Sequence, residues 1–318
     1  MVNIWQILKK PIICLAPMEG VTDMAFRQLL VNIGKPDLMF TEFVNVQSIF
    51  SHDQSSYLQY LNHTPKEKPL IAQLWGLVPE LFEASADLVY NLGFNGVDLN
   101  FGCPEKTVIK KGACSALINN HSLAEKIITA TIKGANNKIP VSIKTRIGFK
   151  TIQTEIWISF LLKFKPSALT IHGRTTKELS DVPTHWDEIG KAVKLRDKIS
   201  PNTLIIGNGD VTSLVDAHQK VKKYQVDGVM IGRGVFHDPF IFNPQKSIKD
   251  LSPQEKFKLL DDHLNIFIKN WGDKKPIHVL KRFIKVYIND FPNALNLRQQ
   301  LMATTTREQL QTIVPANL

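Results

Sequence analysis

Short apolar runs, rich in β-branched residues, recur along the chain at residues 12–17, 38–44, 70–76, 96–102, 141–148, 168–174, 203–210 and 228–234. Each is broken at its C-terminal end by Gly, Pro or polar residues. Runs of this kind predict strands buried on both faces, as in a parallel sheet. Segments with helical spacing separate them. Over residues 80–91 the expected apolar face is Leu81, Ala84, Leu88 and Leu92. Over residues 122–133, Ser122 with Glu125 three positions on predicts a capping box. Residues 212–224 open on a Thr cap after a Gly-Asp turn.

Eight strands alternating with helices over about 240 residues predict a (β/α)8 TIM barrel, which typically takes about 250. A doubly wound sheet competes. It would more often use fewer strands and a Gly-x-Gly-x-x-Gly turn after the first. No such turn follows residues 12–17. The barrel pattern stops near Pro239–Pro244, which divides the chain into a barrel, 1–244, and a small helical bundle, 245–318. Ser252-Pro253-Gln254-Glu255 starts a helix that reaches about Asn270 with Phe257, Leu260, Leu264 and Phe267 on its apolar face. A second helix is expected over 278–289, and two short ones after Pro292 and around 306–312.

Barrel active sites lie at the C-terminal ends of the strands. Those ends carry Met18 and Glu19, Glu42, Gln73, Asn100 and Cys103, Lys144 and Arg146, His172 and Arg174, Asn208 and Asp210, and Arg233. Polar groups in such apolar surroundings are costly unless they face a ligand or one another. The turns Ile-Gly-Asn-Gly-Asp at 206–210 and Ile-Gly-Arg-Gly at 231–234 follow the seventh and eighth strands. Loops at those two places often bind phosphate through backbone N–H groups, and Gly allows close approach. A phosphorylated cofactor is expected there. Lys144 on the facing wall suits an electron-rich ring such as a reduced flavin. It could equally form a structural ion pair with Glu19, Glu42 or Asp98. His172, at the end of the sixth strand, reads as a ligand contact.

The segment Asp-Leu-Asn-Phe-Gly-Cys-Pro at 98–104 leads into a basic loop. A free thiol has a pKa of about 8.5, so Cys103 would be mostly protonated at neutral pH and able to donate a proton. A lone buried Cys is usually structural; the strand end, the flanking Gly and Pro and the nearby lysines favour the functional role.

Charge narrows the partner. The chain has 318 residues and a net charge of +10. Residues 246–318 hold 12 Lys+Arg against 7 Asp+Glu, so half the excess lies in the last quarter. Lys281, Arg282 and Lys285 sit beside Phe283 and Tyr287. A solvated basic face is the simple account; a surface for a nucleic-acid backbone is the sharper one. No apolar run approaches the roughly 20 residues needed to span a bilayer, and the first 11 residues make no convincing signal peptide. Three cysteines without a Cys-x-x-Cys pair argue for a cytoplasmic protein with reduced thiols and no metal site.

The motifs together resemble the tRNA-dihydrouridine synthases of bacterial type. The match runs through Ala-Pro-Met-Glu-Gly-Val-Thr-Asp at 16–23, Thr-Glu-Phe at 41–43, Gln-Leu-Trp-Gly at 73–76, residues 98–104, Lys-Thr-Arg-Ile-Gly at 144–148, Ile-His-Gly-Arg-Thr at 171–175, and the two Gly-rich turns. The resemblance implies an FMN-binding barrel, a C-terminal domain that docks tRNA, NADPH as reductant, and Cys103 as proton donor. It implies that Pro17, Met18 and Glu19 line the flavin and that Gln73 and Lys144 bond its polar edge. His172 would lie near the ring or ribityl chain. Asn208, Gly209, Asp210, Gly232 and Arg233 would hold the phosphate. Asn100, Lys106 and Arg146 would contact the target uracil or its phosphate. A monomer is expected. Two other readings stay open: a non-catalytic tRNA-binding protein on a barrel scaffold, and a small-molecule flavin oxidoreductase similar to dihydroorotate dehydrogenases.

Overall fold

A computed structural model describes residues 3–52 and 54–314; residues 1–2 and 315–318, the outer ends of the two expected segments, lie outside it. Eight parallel strands form in the predicted places: β1 (Ile12–Leu15), β2 (Met39–Asn45), β3 (Leu70–Trp75), β4 (Gly96–Phe101), β5 (Val141–Arg146), β6 (Ala168–His172), β7 (Leu204–Asn208) and β8 (Gly228–Ile231). Each pairs in parallel with its sequence neighbour from β2 to β8, and β8 pairs with β1. A parallel bridge between Cys14 and Leu38 closes the ring. There Leu15 N–H donates to Leu38 O and Asp37 N–H to Ile13 O, both at 3.0 Å.

Alternation along the strands sorts the barrel interior into layers. The lower layer is apolar, with Ile12, Phe40, Ile71 and Ile206 in one cluster under Trp5 of the short helix Ile4–Ile7. Nearer the mouth six strands present polar residues, Glu42, Gln73, Asn100, Lys144, His172 and Asn208, with buried Asp98, Ser142 and Thr170 two positions below three of them. The same period that buries the lower layer thus delivers the charged upper layer to one mouth.

Local chemistry moves several helix boundaries. The helix His121–Ala135 is capped by Asn120, whose side chain accepts from Leu123 N at 3.1 Å, so Ser122 lies inside the first turn rather than capping it. Ser213, not Thr212, caps Leu214–Tyr224. The helix Pro79–Asn91 buries Phe82, Ser85, Ala86 and Val89, while Ala84 is exposed and Leu92 is 40% exposed. Its contact with His121–Ala135 decides that face: a Cβ on Gly134 would stand 2.0 Å from Glu83 O.

Ser252 forms the expected capping box with Glu255 at the start of Pro253–Trp271. The single helix expected over 278–289 is instead a 3-10 helix, Ile277–Phe283, running into a short α-helix, Ile284–Tyr287. Three residues per turn stack Ile277, Leu280 and Phe283 on one line, and all three are buried. Phe283 stacks on Phe26 of the helix Met24–Ile33 at 4.6 Å between ring centroids. The C-terminal helices and the barrel therefore share one continuous apolar core.

Candidate active site

The Cys103 loop is held from three sides. Asn100 Oδ1 accepts from Gly102 N at 3.1 Å and Cys103 N at 2.9 Å, an Asx turn at the strand end. Asn100 Nδ2 donates to Gln73 Oε1 at 3.0 Å, and Gln73 Nε2 donates to Asp98 Oδ2 at 2.7 Å. Ser142 donates to the other Asp98 oxygen at 2.6 Å. Burial pushes the Asp98 carboxyl up to about 6 against these bonds. Ser115 Oγ donates to Cys103 O at 2.8 Å. Arg146 Nε donates to Gly102 O at 2.8 Å, and its Nη1 to Thr175 O and Leu179 O at 2.9 and 3.0 Å. Asn100 and Arg146 are thus committed to the loop first, with donors to spare on Asn100 Nδ2 and Arg146 Nη2.

Cys103 is half-buried, while Cys14 and Cys114 are buried. A hydrogen bond from the Cys114 thiol lowers the Cys103 pKa to about 7; burial opposes this, and Glu105 N–H and the Arg146 charge assist. Burial pushes the Cys114 thiol well up.

Beside this loop lies a cavity of about 510 Å³, within the range of small-molecule sites. Pro17, Met18, Lys144, His172, Asn208, Gly209, Asp210, Gly232 and Arg233 line it. Glu19 and Gln73 do not. Gln73 is buried beneath Asn100, and Glu19 lines an adjacent cavity of about 410 Å³ with Tyr57, Tyr60, Trp75 and Lys111. Desolvation and the nearby Glu42 raise Glu19 to about 7.

Lys144 has no ion pair among the described residues. Its ammonium makes one hydrogen bond, to Asn208 Oδ1 at 3.3 Å. Burial first, then the Arg146 charge, lowers its pKa to about 8. At the far end Asp210, with a left-handed φ of 50°, is bracketed by Arg174, by Thr184 Oγ1 at 2.9 Å and by Arg233 Nη2 at 3.1 Å. Arg174 Nη1 lies 3.2 Å from His172 Nε2. Burial and four cationic side chains keep His172 neutral. Its Nε2 then accepts from Arg174, and Nδ1 carries the proton. Gly209 is required at φ 129°, where a Cβ would stand 2.6 Å from the Thr184 side chain.

An incompletely partnered ammonium on one wall and a Gly-rich, arginine-bearing end on the other fit a cofactor with an anionic ring edge and a phosphate. Arg174 and Thr184 belong to this site, and both were available only as a strand-end Arg and an unremarked loop Thr. Among the described residues no cluster of His, Cys, Asp or Glu could hold a metal ion, and no helix is long and apolar enough to cross a membrane.

The basic surface is smaller than the charge run predicted. Lys281 Nζ donates to Met302 O at 2.8 Å and also to Thr304 O. Arg282 Nη1 donates to Glu19 O at 3.1 Å. Lys281 is half-buried by these bonds, while Arg282 stays exposed together with Lys285, as are Lys106, Lys110 and Lys111 after the Cys103 loop. Lys275, which the charge pattern did not single out, is buried between Glu42 Oε2 at 2.8 Å and Asp23 Oδ2 at 3.1 Å.

A closed parallel barrel with these groups gathered at the C-terminal ends of its strands defines a TIM-barrel enzyme. A morphinone reductase variant in complex with tetrahydroNAD shares this fold at 10% identity, with 72% of this chain and 85% of that one covered and a TM-score of 0.52. A histamine dehydrogenase from Rhizobium sp. 4-9 does so at 14% identity over 83% of this chain and 51% of that one, with a TM-score of 0.56. The dihydrouridine synthase (Dus) family profile matches residues 14–317, and the chain belongs to that family. A probable tRNA-dihydrouridine synthase of Staphylococcus aureus (strain COL) is 40% identical over 306 residues, 95% of this chain and 92% of the relative. The probable tRNA-dihydrouridine synthase 2 of Bacillus subtilis (strain 168) is 38% identical over 315 residues, 98% and 95% of the two chains.

Proposed function

We propose that this chain reduces a uridine of tRNA to 5,6-dihydrouridine, with FMN as cofactor, NADPH as reductant and Cys103 as proton donor. The observation that carries this is the Cys103 thiol: half-exposed at the barrel mouth, tuned near neutrality and fixed through Asn100 and Ser115. FMN would lie in the larger cavity. Pro17 and Met18 form its apolar wall, and Lys144 offers its ammonium to the ring edge. Neutral His172 offers Nδ1–H, and Asn208, Gly209, Asp210, Gly232 and Arg233 surround the phosphate end. Arg174 and Asp210 hold Arg233 in place. Bound there, the flavin supplies the hydride for carbon 6 of uracil.

The chain's own residues handle the base and the proton. The target base must leave its stack to reach the mouth. Asn100 Nδ2 and Arg146 Nη2 are the donors left for the base, and Glu19 faces the neighbouring cavity. Cys103 gives its proton to carbon 5 and is left as a thiolate, which the Cys114 hydrogen bond stabilises. Exposed Lys106 and the segment 245–318 hold the tRNA backbone. The protein would act as a monomer in the cytoplasm.

Single-turnover reoxidation of pre-reduced enzyme by tRNA, under anaerobic conditions, tests this in the three Cys→Ala variants. Cys103→Ala should keep FMN, bind tRNA and accept electrons from NADPH, yet form dihydrouridine about 10²–10⁴ more slowly, as for a lost general acid. A wild-type rate in that variant would overturn the assignment.

A further inference from the structure

Cys114 is placed at a backbone cost. It has a φ of 52° and is 1% exposed. The left-handed conformation favours glycine, and a side chain there is strained. Nothing in the apolar packing around it, with Val108 and Ala113, calls for sulfur in particular. Cys103 packs against the small cluster that holds Cys114, and the neighbouring thiols act on each other, the Cys103 pKa lowered and the Cys114 pKa raised. Ser115 fastens the two segments together, with its N–H and its hydroxyl both on Cys103 O, at 3.4 and 2.8 Å. One thiol of the pair is reachable from solvent and the other is not.

We propose that Cys114 is a resolving cysteine for Cys103, so that a hydroperoxide converts the pair to a reversible disulfide instead of oxidising Cys103 irreversibly. In the first step the Cys103 thiolate attacks the outer peroxide oxygen. The O–O bond breaks, Cys103 becomes a sulfenic acid, and alkoxide or hydroxide leaves to take up a proton. In the second step the Cys114 sulfur attacks the Cys103 sulfur. The S–S bond forms, the S–O bond breaks, and the Cys114 proton leaves with the hydroxyl as water. Two electrons pass from the thiols to the peroxide, and a dithiol restores both cysteines. Low-pKa accessible thiols beside a second cysteine are the ones that follow this course. The disulfide would remove the proton that Cys103 delivers, so the effect on activity rests on the function proposed above; formation of the disulfide does not.

The test treats the whole protein with cumene hydroperoxide and digests it with trypsin without reduction. Cleavage after Lys106 and Lys111 separates the two cysteines. The expected result is the peptide 112–126 linked to the peptide ending at Lys106, with the link and the loss of dihydrouridine formation both reversed by dithiothreitol. Cys114→Gly suits the left-handed φ, so it removes the sulfur and relieves strain. In that variant Cys103 should advance to sulfinic acid, and dithiothreitol should restore nothing. Buried Cys14 should stay unlinked. The proposal fails if wild type and Cys114→Gly accumulate Cys103 sulfinic acid at the same rate with no linked peptide. A linked peptide in fully active enzyme would leave the pair standing and remove Cys103 as the proton donor.

Discussion

Replacing Lys275 by Met should cost this fold about 3–5 kcal/mol at pH 8, the range for removing one partner of a buried ion pair. The ammonium lies between Glu42 and Asp23 at 2.8 and 3.1 Å, with all three side chains 5% exposed or less. It also sits 4.5 Å over the Trp271 ring. Met keeps most of the stem and loses the charge. Asp23 caps the helix Met24–Ile33 through Phe26 N, so Glu42 is the group that can relax by taking a proton. Burial already raises its pKa, and Lys275 is the main opposing influence. Protonating a carboxyl with an ordinary pKa of about 4.3 costs about 5 kcal/mol at pH 8 and about 1.6 at pH 5.5, at 1.36 per unit. That escape caps the penalty at each pH. With the folded pKa of Glu42 raised further, the deficit is full at high pH and shrinks as pH falls through that value. Denaturant unfolding of both proteins at pH 8 and 5.5 measures it. Glu42→Gln added to Lys275→Met should recover most of the loss at pH 8, since the amide oxygen can still accept from Gly20 N. A cost below about 1 kcal/mol at pH 8, or one that does not shrink at pH 5.5, would refute the reasoning.

Arg233→Ala should weaken FMN retention by about 1.5–3 kcal/mol, read by flavin release on dilution; unchanged affinity would move the phosphate elsewhere. Arg174→Met should lower flavin content as well, because it unseats Asp210 and His172 together. For tRNA, neutralising Lys106 and Lys285 should flatten the log-log salt dependence of binding by about 0.7–0.9 per lost phosphate contact. Lys281→Ala should instead lower stability with the slope unchanged. Cys103 should alkylate with a midpoint near pH 7, and Cys114→Gly should move that midpoint upward because it removes the leading cause of the lowered value. The proton-donating form is the thiol, so the chemical step should slow as pH rises through about 7 in wild type; a rate that climbs across that interval would contradict the role of Cys103.

Local patterns in the sequence were enough for the barrel. Strand burial on both faces leaves near-continuous apolar runs, and all eight observed strands fall on them, because a strand covered on both faces holds polar residues inside the sheet only where they bond one another, as Gln73, Asp98 and Ser142 do. For the same reason the strand-end residues Lys144, His172, Asn208 and Arg233 could be read from the chain as lining one mouth. The capping box at Ser252 is equally local and formed as expected. What failed was what depends on neighbours distant in sequence. The buried face of Pro79–Asn91 is set by contact with the helix His121–Ala135, which its own periodicity does not contain. The 3-10 winding of Ile277–Phe283 follows from docking on Phe26, more than 250 residues earlier. Lys281, Arg282 and Lys285 form one basic run in sequence, yet the fold turns Lys281 to the carbonyls of Met302 and Thr304 and lays exposed Arg282 against Glu19 O, leaving Lys285 to solvent alone. Glu19 stands next to Met18 but opens on a different cavity, since the chain turns at Glu19-Gly20, with Val21 N and Thr22 N both donating back to Met18 O. The pairing of Cys103 with Cys114 and the burial of Lys275 between two carboxylates are likewise tertiary facts. A thiol's or an ammonium's chemistry is set by what surrounds it in space, and the linear chain carries no record of that.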